Sequence, residues 1–277
     1  MQQATDTKAT SPADLPVYRF RSLAGANVVH GVTTRTESLP LHGNMSYMVG
    51  EAPDLVAQNR QAWAGAIGYE ADRLVLGRQV HETSVVVVDE SNAGNGADSV
   101  ESSIRRVDGL ITSTPDLPIG VMAADCVPIL IVDPERSAVG AIHAGWRGTV
   151  DGIATAAVQA MQNAFGSDPA DLQVCLGPSI CRSCYQVGDE VVDRWESGRF
   201  ARVASPVDVT SSGYYFDLRA ANLGQLREVG VQNSSIEVSD LCTKCANGSM
   251  FSRRGLGPKT GLFTSVIMLP ESGLRST

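Results

Sequence analysis

The chain has 277 residues, enough to bury a large core in one big domain or two small ones. Hydrophobic residues make up 43% and charged residues 19%, the balance of a folded globular protein rather than a disordered one. Lys+Arg 22 against Asp+Glu 30 leaves a formal charge of −8, which argues against a nucleic-acid or anionic-membrane surface while leaving room for a local basic pocket.

No apolar run approaches the roughly 18 residues of a spanning helix. The opening "MQQATDTKATSPADLP" lacks an apolar signal core, so residues 1–16 are expected to form a polar, frayed tail on a cytoplasmic protein. "NVVHGVTTR" reads as a strand carrying His30 out to a loop. "APDLVAQNRQAWAGAIG" sets Leu55, Val56, Trp63, Ala66 and Ile67 at helical spacing, with Pro53 suited to a first turn and Gly68 to a cap. Short β-rich runs follow: "RLVLGRQVH", "SVVVVDE", "DGLITS", "IGVMAADC", "PILIVD" and "AVGAIHAG". Among them "SNAGNGADSVESS" is a polar surface loop.

"VDGIATAAVQAMQNAFG" predicts one helix, with Asp151 near its N-terminus and Ile153, Ala157, Met161 and Ala164 on one face. "LQVCLGP" and "YYFDL" read as strands, "VGDEVVDRWESGRF" and "LRAANLGQLREVG" as helices, and "SIEVSD" and "LFTSVIML" as closing strands. No repeat or long linker divides the chain, so one domain over residues 17–270 is expected. Strands cluster before helices instead of alternating with them. That favours an α/β fold of the mixed-sheet α-β sandwich kind, with flanking helices, over a doubly wound one. Neither glycine-rich nucleotide motif occurs where such a fold needs it.

The chemistry concentrates in "CVPILIVDPERSAVGAIHAGWRG", residues 126–148, two apolar runs broken by a turn. His81, Cys126 and His143 each fall at the end of a predicted strand, and strand ends of one sheet can converge on one edge. Two imidazoles and a thiolate suit Zn²⁺ and leave a fourth position open; copper fits the same donors. The competing readings are a buried thiol with two hydrogen-bonded histidines, or a Cys126 nucleophile with His143 as its base. Asp125 would then orient the imidazole or bind substrate.

Six cysteines without a signal suggest reduced thiols. "CRSC" (Cys181, Cys184) and "CTKC" (Cys242, Cys245) are separated by far more than the roughly 15–20 residues of a compact zinc ribbon. They are expected to be incidental thiols near a shared loop, a second structural metal being the lesser alternative.

Taken in order, "RQVHET", "DGLIT", "AADCVPILIVD", "GAIHAGWRGT", "LGPSICRSCYQVGDEV", "FDL", "CT", "FSRR" and "KTG" resemble the YfiH/YlmD family, long labelled laccase-domain or polyphenol oxidase proteins. The resemblance covers nearly the whole chain. It implies a single α/β sandwich related to bacterial toxin deamidases that use a Cys–His pair. It also implies zinc held by His81, Cys126 and His143. The implied activities are purine nucleoside phosphorolysis (adenosine, inosine, methylthioadenosine) and adenosine deamination. Hydrolysis of a wrongly built peptidoglycan precursor, or copper-dependent phenol oxidation under the older label, are the alternatives, beside a non-catalytic metal- or partner-binding role. Phosphorolysis needs an anion pocket, for which Arg35, Arg147 and Arg254 are the expected residues, Arg147 and Asp125 as catalytic groups. Asn44 and Gln79 join Arg35 and Arg254 as expected substrate contacts. Tyr185-Gln186-Val187 stands where the family has Tyr-Glu-Val, and Leu262 where it has Arg, both on substrate-contact loops.

Overall fold

The computed structural model describes residues 12–49 and 52–271. Two sheets carry the architecture. The larger has six strands in the order Ile236–Val238, Gln173–Leu176, Val127–Asp133, Ala138–Ala144, Gly109–Thr112 and Val85–Val87. The smaller has five, Val29–Val32, Phe263–Met268, Ile119–Ala123, Val75–Arg78 and Ile104–Arg105. Both mix parallel and antiparallel pairs. A separate three-stranded sheet is built from Gln186–Val187, Gly213–Phe216 and Val207–Thr210.

The alternation of side chains explains the layers. In Val127–Asp133, Val127, Ile129 and Ile131 face one way, joining Ile153, Ala157 and Met161 of the helix Ile153–Phe165 and Leu218, Ala221 and Leu226 of the helix Leu218–Glu228. Leu130 and Val132 face the other way, against Val75, Ile119, Val121, Phe263 and Ile267 of the five-stranded sheet. The central strands are therefore buried at every position and apolar at all but Asp133 and His143, as expected of strands covered on both faces. The helix Pro53–Ile67 covers the outer face of the five-stranded sheet with Ala64 and Ile67. The result is a mixed-sheet α/β sandwich with helices on both outer faces.

Three differences from the sequence reading have local causes. The single helix expected over 150–166 is two, Trp146–Asp151 and Ile153–Phe165, because Gly152 sits at φ 96°. A Cβ there would come within 2.5 Å of the Phe200 ring, so both the angle and the packing need glycine. Asp151 consequently ends the first helix, and it pairs with Arg194 at 2.7 Å. Of the expected tail, residues 1–11 lie outside the described residues, but Leu15 is buried against Met45 and Trp63. Ordered chain therefore begins before residue 17.

Candidate functional site

The hairpin register places the thiol beside the imidazole. Val127 pairs with Ala144 and Pro128 with His143, so Cys126 leaves the hairpin's open end level with Gly145. His81 arrives from the other sheet, three residues beyond Val75–Arg78. Its ring stands perpendicular to that of His143, centroids 4.8 Å apart. The ligand atoms of His81, Cys126 and His143 all lie within 4.8 Å of one another. Gly145 closes the back of the group: a Cβ there would stand 2.6 Å from His81 Cδ2, 3.3 Å from Cys126 Sγ and 3.4 Å from His143 Cε1.

A residue absent from the sequence-derived site holds this geometry. Asp108 is fully buried at the start of Gly109–Thr112. Its Oδ1 receives His143 Nδ1–H at 2.8 Å and the His81 N–H at 2.9 Å, and its Oδ2 receives the N–H groups of Val80 and Glu82 at 3.1 and 3.0 Å. The His143 N–H also donates to the Asp108 carbonyl at 2.6 Å. His81 sits at φ 63°, an uncommon conformation for a side-chain-bearing residue, and the three amides gripping Asp108 keep it there. With Nδ1 committed to Asp108, His143 presents Nε2 to Cys126. "DGLIT" offered the only signal: an acid opening an apolar strand.

Electrostatics follow from that placement. Burial alone would push the Cys126 thiol up, but the neighbouring His143 and His81 pull it down to about 6. Burial alone would push His143 down; instead Cys126 and Asp108 raise it to about 9. Burial disfavours the charged Asp108 too, yet His143 and the surrounding amides hold it below the ordinary carboxylate range. Cys126, His143 and Asp108 thus stand in a thiol–imidazole–carboxylate row.

The row borders a cleft also lined by Gln79, Met122, Arg78, Tyr47, Ser103 and Arg253. The cleft is lined mainly by apolar surface and opens to solvent. The expected site residues divide around it. Gln79 lines it, though its amide exchanges hydrogen bonds with the Met122 backbone at 2.7 and 2.8 Å, extending the sheet pairing. Asn44 does not: its amide is consumed by Ser46, Val49 and Leu262. Asp125, at φ 95°, accepts from Thr243 Oγ1 and Ser252 Oγ at 2.6 Å and from the Arg254 N–H at 2.7 Å. These three donors tie its carboxylate to the adjoining loops.

The three expected anion-binding arginines all lie off this cleft. Arg35 pairs with Glu37 at 3.3 Å and donates to the Gly248 carbonyl, beside a separate shallow pocket. Arg147 is exposed, its guanidinium 4.3 Å from the Trp146 ring centroid. Arg254 donates to the Gln186 carbonyl at 2.8 Å and lies over Tyr185. Successive helical residues diverge by about 100°, so Arg254 faces Tyr185 while its neighbour Arg253 faces the cleft. Arg78 and Arg253 are exposed, line the cleft, and have no carboxylate partner among the described residues. Arg60 also lines it, but its guanidinium is buried and spent on the carbonyls of Met45, Gly96 and Ala97.

Residues 29–270 match the model of the family described as multi-copper polyphenol oxidoreductase laccase. The chain belongs to that family. Among curated relatives, an adenosine deaminase RL5 from an unknown prokaryotic organism is 39% identical over 80% of this chain and 86% of its own. A purine nucleoside phosphorylase YlmD from Geobacillus stearothermophilus is 37% identical over 89% of each chain. The crystal structure of that YlmD superposes with a TM-score of 0.83 at 36% identity, covering 91% of this chain and 94% of its own. The hypothetical protein YfiH of Bacillus licheniformis does so with a TM-score of 0.83 at 34% identity, covering 87% and 92%.

The laccase-family description implies copper, and the donor set tests it. Only two of the four histidines meet. His30 is buried elsewhere, accepting the Phe20 N–H at 3.1 Å, and His42 pairs with Glu37 at 3.1 Å. A multi-copper array needs many more imidazoles than that. His81, Cys126 and His143 instead fit a single ion with an open position.

Proposed function

We propose that the protein is a zinc-dependent purine nucleoside phosphorylase that also deaminates adenosine at the same site, working in the cytoplasm. One observation carries the reading. A His–Cys–His donor set with one imidazole locked by Asp108 borders an open, largely apolar cleft that also carries two guanidinium groups without a carboxylate partner among the described residues. The names of the relatives supply the substrate class.

His81, Cys126 and His143 would hold the zinc, which when bound supplies Lewis acidity at the edge of the cleft. The remaining work falls to the chain. Asp108 fixes His143 so that Nε2, not Nδ1, faces the centre. Met122, Leu262 and Tyr47 give apolar surface to a purine ring. Arg78 and Arg253 would bind phosphate and place its oxygen near the ribose C1′, where C–O bond formation accompanies loss of the purine. Their charge offsets the crowding of two anions in one cleft.

A second reading is favoured by the Cys126–His143–Asp108 row itself, which has the order of a nucleophile, base and orienting acid. In that case the protein is an amide hydrolase working without metal. Zinc removal and reconstitution separates the two. Phosphorolysis of inosine or adenosine should vanish on chelation and return with zinc. Hydrolysis of an amide substrate, such as a peptidoglycan precursor, that survives chelation would favour the nucleophile.

A further inference from the structure

Four of the remaining cysteines stand in two Cys-x-x-Cys turns, and the fold brings the turns face to face. In the first, the Cys184 N–H donates to the Cys181 carbonyl at 3.0 Å across a single 3-10 turn. In the second, the Ala246 N–H closes onto the Cys242 carbonyl at 2.9 Å. A parallel bridge between Ser179 and Cys242 lays the two approaches side by side, which is why a gap of 61 residues is no obstacle. The Sγ atoms of Cys181, Cys184, Cys242 and Cys245 all lie within 4.8 Å of one another, with Cys184 and Cys245 3.4 Å apart. The expectation of incidental thiols gives way to a converged set.

We propose that these four cysteines hold a structural zinc ion, separate in place and role from the one at His81, Cys126 and His143. Four thiolates at this spacing make a closed tetrahedral site, whose bonds of about 2.3 Å imply sulfur–sulfur edges near 3.8 Å. The observed cluster brackets that value before any ion draws it in. Two neighbours suit an anionic centre. The Cys181 N–H donates to Cys242 Sγ at 3.3 Å, an amide-to-sulfur bond that favours thiolate. Arg219, half-buried, donates to Ser179 Oγ and to the carbonyls of Ser179 and Leu241, putting a fixed positive charge beside both turns. Zinc binding displaces the remaining thiol protons to solvent and needs no oxidant.

The role follows from what the turns grip. Ile180, before the first turn, donates its N–H to the Asp125 carbonyl at 2.9 Å, and Thr243, inside the second, donates Oγ1–H to the Asp125 carboxylate at 2.6 Å. Asp125 immediately precedes Cys126. The tetrathiolate ion therefore clips together the two segments that seat Asp125 and, through it, the proposed catalytic ligand.

Metal content of the full chain, purified under reducing conditions with zinc and dialysed against a weak chelator, tests this directly. Two zinc ions per chain are expected, with one retained in Cys126→Ala and one in a Cys184→Ser/Cys245→Ser double variant. The Cys126→Ala protein keeps all four cysteines native, so the test stands even where the double variant fails to fold. Cobalt(II) added to metal-free Cys126→Ala protein should give intense thiolate-to-metal bands and tetrahedral visible absorption. Cys126→Ala protein that holds no zinc and gives no cobalt spectrum would overturn the proposal. So would iron in the cluster, or a Cys184–Cys245 disulfide in protein handled without oxidant. Loss of turnover with two zinc ions still bound would count against the proposed activity and leave this site standing.

Discussion

Asp108 Oδ1 lies 2.8 Å from His143 Nδ1, and the same oxygen takes the His81 N–H at 2.9 Å. One buried carboxylate thus orients two proposed metal ligands that come from different sheets. Replacing Asp108 by Asn removes the charge and turns an N–H₂ toward the amides of Val80 and Glu82, which are donors themselves. Asp108→Asn should weaken zinc binding by about 10–100-fold. It should also lower unfolding stability by about 3 kcal/mol, because His143 loses its buried partner. Chelator competition and urea denaturation measure the two effects. Unchanged zinc affinity would remove Asp108 from the site.

Gly145 tests whether the cluster depends on close backbone approach. Its backbone, at φ −76° and ψ 169°, admits alanine without strain, so only space is at issue. The added methyl would press on His81 Cδ2 at 2.6 Å and crowd Cys126 and His143. Gly145→Ala should cut zinc affinity and turnover at least tenfold while shifting the thermal midpoint by only a few degrees. A fully active, metal-replete variant would show that the ring of His81 moves freely.

The metal-stripped protein should show the ionised pair. Cys126 falls from an ordinary 9.0 to about 6, so its contribution to stability is complete above the ordinary value and is lost as pH falls through about 6. His143 rises from 6.5 to about 9, so its contribution is complete below 6.5 and is lost as pH rises through about 9. The two slopes oppose each other between those limits, leaving stability nearly flat there. Alkylation of Cys126 should instead climb with a midpoint near pH 6 and be blocked by zinc. A midpoint near 9 would mean that His143 is neutral.

Arginines off and on the cleft should behave differently. Arg253→Met should lower phosphorolysis by roughly thirty- to a thousand-fold, the equivalent of about 2–4 kcal/mol of lost anion stabilisation, with zinc content unchanged. Arg147→Met should cost little, since its guanidinium rests on Trp146 in solvent. Steady-state kinetics with varied phosphate decide between them, and the reverse ranking would return the anion to the Trp146 side.

The sandwich was legible because its central strands are near-continuous apolar runs and its helices keep their spacing. The Cys126–His143 hairpin was legible because both residues end runs joined by a short turn. Asp108 was not, because its partners sit at residues 80–82 and 143 and meet only when the two sheets pack. The four outer cysteines were discounted on spacing, yet one bridge at Ser179 makes that spacing irrelevant. Arg253 and Arg254 are adjacent in sequence, and only the helical turn shows which one faces the cleft.

The measurement that bears most directly on the proposed reaction is product analysis of zinc-loaded protein given inosine or adenosine, with and without inorganic phosphate. The expected result is free base and ribose 1-phosphate, formed in proportion to phosphate and abolished in Cys126→Ala. Intact nucleosides under both conditions, or free ribose released at a rate indifferent to phosphate, would contradict it.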